Sequence, residues 1–69
     1  MVVEQTLVKI NLAAVRVNAG MNQKEWAKAL GVSLYTIINW ESGKSCPNAK
    51  QLRTMSELSK IPIDFIYVA

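Results

Sequence analysis

Few side chains in this sequence could do covalent or metal chemistry, and their spacing argues against each in turn. There is no histidine among the 69 residues and a single cysteine, Cys46. A thiol needs a neighbouring base to become a nucleophile, and no imidazole exists to serve it. The same counts exclude a Cys/His zinc site and an intramolecular disulfide, and a lone cysteine suits a reducing cytosol. Ser42-Gly43-Lys44-Ser45 echoes the end of a phosphate-cradling loop. That echo lacks both the first glycine at its required spacing and the strand that should precede it. No paired carboxylates mark an obvious cleft for general acid–base work. The expectation is a protein that is not an enzyme, holds no metal or cofactor and takes no small-molecule substrate.

What remains is recognition, and one stretch organises it. Gln23–Ser42, QKEWAKALGVSLYTIINWES, reads as two short helices joined by a tight turn. In the first half Trp26, Ala27 and Leu30 recur at helical spacing and form an inner stripe. Gly31 follows where a helix end needs a residue tolerant of positive φ. Val32 plugs the corner, and Ser33 can cap a second helix by accepting from an orphan N–H. In that second helix Ile37, Trp40 and Glu41 share one side, which leaves Leu34, Tyr35, Ile38 and Asn39 pointing away. Ala27 is small where the two helices must cross closely, and both tryptophans fall on inner stripes, so they are core. Two helices, a glycine-containing turn and an unspent outer face make the form of a helix-turn-helix. Gln23 sits at the positive N-terminus of its helix, where free N–H groups favour an anion.

The pattern Gln23-x-x-Trp26-Ala27-x-x-Leu30-Gly31-Val32-Ser33-x-x-x-Ile37-x-x-Trp40-Glu41-x-Gly43-Lys44 resembles the Cro/repressor-type (XRE-like) helix-turn-helix family of phage and bacterial DNA-binding regulators. It covers the middle third of the chain tightly, and the flanks, 12–20 and 47–66, match more loosely. The resemblance implies an all-α, five-helix, lambda-repressor-like DNA-binding domain with the helix-turn-helix at its second and third helices. It places base-reading side chains at Leu34, Tyr35, Ile38 and Asn39, with that helix in the major groove. The Asn39 amide matches adenine N6 and N7, whereas Leu34 and Ile38 offer only apolar contact, most usefully to thymine methyls. Tyr35 could do the same or reach a phosphate. Gln23 is implied as a backbone grip, assisted by Asn22 and Lys24, with Ser33 sharing its capping hydroxyl and Lys44 and Ser45 meeting the next phosphate. Arg16 and Glu41 are implied as an inward-facing structural ion pair that fixes the tilt of the reading helix. Many members carry Gln, Arg or Lys on the outer face, so the target site does not follow by analogy.

The rest of the chain must hold that motif. A chain of 69 residues has room for one domain, here 1–69 with a core over 5–66. About half of it, 51%, is apolar, enough for a helical core, and the net charge of +3 permits nucleic-acid binding without establishing it. Met1–Glu4 reads as an arm. A first helix is expected from Gln5 or Thr6, with Val8, Leu12 and Val15 inward and Gly20 at its end. Asn22 and Glu25 form a capping box for the next. After the loop 42–47, a fourth helix runs from the cap Asn48 to Ser59, burying Leu52, Met55 and Leu58. Pro62 suits the first turn of a last helix, Pro62–Ile66, in which Phe65 and Ile66 close the core.

The favoured function is a sequence-specific double-stranded-DNA-binding transcriptional regulator, resembling a Cro-like repressor that binds an inverted repeat as a homodimer. Ile63, Tyr67 and Val68 are the residues expected to pair the two copies. The alternative is an antitoxin-like interaction module with secondary DNA binding. Such a module usually carries an extension past this core, and the sequence ends a few residues beyond it, which favours the regulator. No apolar run is long enough to span a bilayer, and Glu4 near the start argues against a signal peptide, so a cytoplasmic location is expected in a bacterium or phage-infected host.

Overall fold

The computed structural model describes residues 9–68. In chain order these form a two-residue strand β1 (Ile10–Asn11) and helices α1 (Leu12–Asn18), α2 (Gln23–Leu30), α3 (Leu34–Ser42) and α4 (Ala49–Ser59). A single 3-10 turn, Ile63–Phe65, then leads into strand β2 (Ile66–Tyr67).

Each helix begins at a side chain able to satisfy an orphan N–H. Asn11 accepts from Ala14 N and Ser33 from Thr36 N, at 2.8 and 3.1 Å. Asn22 with Glu25, and Asn48 with Gln51, make reciprocal capping boxes. The turn between α2 and α3 depends on Gly31, whose φ of +70° lies in the left-handed region that a Cβ disfavours. Beyond it Val32 N–H returns to the Ala27 carbonyl at 3.0 Å, closing the end of α2 so that the chain can start α3 at once.

The core lies where the helices meet. Leu12 and Val15 of α1, Trp26 and Ala27 of α2, Ile37 and Trp40 of α3, and Met55 of α4 are buried together with Ile61 and Ile66. Full burial of each large aliphatic side chain is worth about 1.5–3 kcal/mol, so the inner stripes of α2 and α3 fix how those two helices cross. The buried polar residue Ser59 is satisfied in place: its hydroxyl donates to the Met55 carbonyl at 2.7 Å, and its carbonyl accepts from Asn18 Nδ2 at 2.9 Å. That last bond ties the end of α4 to α1.

The two ends of the fold differ from expectation. The described residues hold four α-helices, not five, and in place of the expected last helix stands one 3-10 turn followed by β2. The chain leaves that turn extended because Ile66 and Tyr67 pair in parallel with Ile10 and Asn11. Strand alternation then buries Ile66 and turns Tyr67 outward. Phe65, expected in the core, is exposed, as is Leu58 at the edge of the α4 stripe. The first helix begins at Leu12, since Ile10 and Asn11 are extended and Asn11 is its cap. The arm 1–4, the expected helix start at 5–6, Val8 and the first four residues of the 5–66 core lie outside the described residues.

Candidate nucleic-acid interface

Helix α3 has two unlike sides. Ile37 and Trp40 anchor it to the core with almost no exposure, whereas Leu34, Tyr35 and Ile38 are 37%, 70% and 43% exposed. Asn39 is half-buried beside them, and its carbonyl accepts from Lys44 N at 2.9 Å and from Ser42 Oγ at 3.2 Å. The sequence LYTIINWES gives this helix no lysine or arginine and one acid, Glu41. The outer side therefore presents apolar groups and one carboxamide on a helix whose inner side is fixed.

The acid faces the other way. Arg16 of α1 donates from Nε to Glu41 Oε2 at 2.8 Å, with a longer Nη2 contact to Oε1 at 3.5 Å. Its Nη1 donates to the Met21 carbonyl at 3.0 Å, at the entry to α2. Gln23, the first residue of α2, donates from Nε2 to Glu41 Oε1 at 3.1 Å. Side-chain exposure of the ion pair is only 16% and 11%. Charge-assisted bonds of this kind are about twice as strong as neutral ones. Here they connect α1, the α2 entry and the far end of α3.

Exposed groups suited to phosphates lie on α2 and in the loop that follows α3. Lys24 and Lys28 of α2 and Lys44 and Ser45 of the following loop are exposed. Asn22 is exposed too, but its side-chain oxygen is committed to Glu25 N at 2.8 Å. Ser33 Oγ caps Thr36 N and lies 3.0 Å from Thr36 Oγ1. The carboxylate of Glu25 accepts from Asn22 N, so the acid nearest the α2 entry is also engaged. Among the described residues no cluster of Cys, Asp and Glu could hold a metal ion, and no helix is long and apolar enough to cross a membrane.

Sequence reasoning placed Gln23 toward phosphate and missed its bond to Glu41. The two residues are 18 apart and share no periodicity, so only the packing of α2 on α3 brings them together. At the tail, Ile63 and Tyr67 face outward, as does Phe65, while Val68 packs against the chain's own core. Ile63, Tyr67 and Val68 therefore do not form one exposed patch.

A family model described as a helix-turn-helix matches residues 12–66. The HTH-type transcriptional activator BcrR of Enterococcus faecalis is 36% identical over 53 residues, which cover 77% of this chain and 26% of that protein. The chain thus aligns with about a quarter of the length of that relative. No solved structure matches the chain. Every base-facing and phosphate-facing candidate falls inside the matched span, which ends before Tyr67 and Val68.

Proposed function

Because the chain belongs to the helix-turn-helix family whose model matches residues 12–66, we propose that it is a sequence-specific double-stranded-DNA-binding regulator of transcription. One observation carries the reading: α3 exposes Leu34, Tyr35 and Ile38 on a helix locked from behind by Ile37, Trp40 and the Arg16–Glu41 pair. A recognition helix needs that combination, since its outer side chains must meet base edges while the scaffold holds their register. Asn39 and its apolar neighbours read bases. Lys24, Lys44 and Ser45 position the backbone, aided by Asn22, Gln23 and Ser33. Gln23 divides its amide between Glu41 and the DNA.

The finer form is a cytoplasmic, Cro-like repressor acting as a homodimer on an inverted repeat. One reading helix covers too few base pairs to stand out against a genome. The exposed tail residues Ile63 and Tyr67 supply an apolar surface for an isologous contact. The test is selection of binding sites by the full chain from a pool of randomised duplexes. An inverted repeat should be enriched, and a reporter with that repeat over its promoter should be silenced by the protein. Failure to enrich any sequence would overturn the reading. The exposed apolar tail also suits an antitoxin-like interaction module, which co-purification of a second small protein would favour.

A further inference from the structure

We propose that the half-site is A·T-rich at its centre and is read chiefly through thymine 5-methyl groups, with Leu34 and Ile38 contacting methyls and Asn39 contacting adenine. This rests on the DNA-binding reading above and specifies what the same face recognises.

The first argument is an inventory of readers. In the major groove guanine is read by two donors on O6 and N7, supplied by arginine or lysine, and cytosine N4 by a carboxylate. Helix α3 holds neither cation. Its one carboxylate is spent, with Oε2 of Glu41 bound by Arg16 and Oε1 by Gln23. The helix thus has no cation and no unengaged carboxylate to pair with guanine or cytosine, and the hydroxyls of Thr36 and Ser42 are taken up by Ser33 and by the Asn39 carbonyl. The thymine methyl is the one apolar group on a major-groove base edge, and the asparagine carboxamide matches the paired acceptor and donor of adenine.

The second argument is geometric. Leu34 and Ile38 are four residues apart and lie one above the other on the helix, separated by about 6 Å at 1.5 Å rise per residue. That is nearly two base-pair steps of about 3.4 Å. Laid in the groove, the two side chains span at most about two steps and can therefore meet methyls on adjacent or next-adjacent base pairs, with Asn39 next to Ile38 in the chain. Neither is needed by the core, which Ile37 and Trp40 already serve, and both remain substantially exposed. The cations assigned to the DNA backbone, Lys24 and Lys44, lie off α3. Charge thus supplies attraction and α3 supplies the discrimination.

The experiment takes the duplex enriched by the full chain from the randomised pool and remakes it with deoxyuridine in place of every thymidine. Base pairing is retained and only the methyls are lost. Each buried methyl is worth about fourfold in affinity, so losing two per half-site should weaken binding about 16-fold per half-site. The variant Leu34→Ala/Ile38→Ala should bind the thymidine and deoxyuridine duplexes nearly equally, with a thermal unfolding curve like that of the parent. Enriched sites with G·C pairs at the centre, equal affinity of the parent chain for both duplexes, or an unchanged preference in the variant would each overturn the proposal while leaving DNA binding intact. A pool from which nothing is enriched would remove the DNA-binding reading itself.

Discussion

Arg16 Nε donates to Glu41 Oε2 at 2.8 Å, joining α1 to the end of α3 across 25 residues of sequence. The pair is mostly buried, so removing one partner leaves a charge without its main compensation. Breaking a fully buried pair costs about 3–5 kcal/mol, and the residual solvent contact here lowers that figure. Arg16→Met should therefore lower the unfolding midpoint markedly. The double variant Arg16→Met/Glu41→Leu should recover much of the loss, because no unpaired charge remains. Thermal unfolding of the parent, both single variants and the double variant checks this, and additive effects would mean that the pair is not coupled.

Binding should weaken with salt, because each phosphate neutralised releases counterions. Lys44→Ala should weaken binding to all duplexes about equally and reduce the slope of log K against log salt by about 1. Titrations at several salt concentrations with specific and scrambled duplexes measure both effects. Lys44 suits this better than Gln23, whose replacement would also disturb Glu41.

Neighbouring residues of α3 should give opposite kinds of defect. Asn39→Ala should relax discrimination at one base pair, with a loss of roughly 1–3 kcal/mol there, and leave stability nearly unchanged. Trp40→Ala should unfold the domain, since truncating a buried tryptophan costs roughly 3–5 kcal/mol, a large share of what so small a domain holds. Chemical denaturation beside binding assays separates the two. A shared, purely base-specific defect would mean that the faces of α3 are reversed.

The central motif was legible because its signals are local. Caps at Asn22 and Ser33, the turn glycine and the inner stripe of Trp26, Ala27, Ile37 and Trp40 each depend on near neighbours in the chain. What escaped the sequence depends on distant ones. Ile10 and Asn11 are extended because they pair with Ile66 and Tyr67, and two residues are too few to show strand alternation. That pairing also displaced the expected last helix and turned Phe65 outward. The hydroxyl of buried Ser59 is satisfied locally by Met55 and Ile61, but its carbonyl is held by Asn18, 41 residues away, a relationship no periodicity reveals.

The homodimer should depend on Ile63 and Tyr67. Shortening the chain at Phe65 would be a poor test, since it deletes Ile66, which is buried and pairs with Ile10. Ile63→Ser/Tyr67→Ser should instead keep the fold and impair pairing. Sedimentation with and without an inverted-repeat duplex should show two parent chains per site and fewer for the variant. A backbone footprint of the parent should show two protected patches roughly 34–36 Å apart. A one-to-one complex would contradict the dimer.

The central claim is that the outer face of α3 reads DNA sequence, and the specificity ratio tests it most directly. That ratio is the affinity of the full chain for its selected duplex divided by its affinity for a scrambled duplex of the same composition, at fixed salt. For the parent it should reach about 10³ or more, as for other specific DNA-binding proteins. For Leu34→Ala/Ile38→Ala/Asn39→Ala it should collapse toward one while scrambled-duplex affinity is retained. A parent ratio near one, or a ratio that survives erasure of that face, would contradict the account.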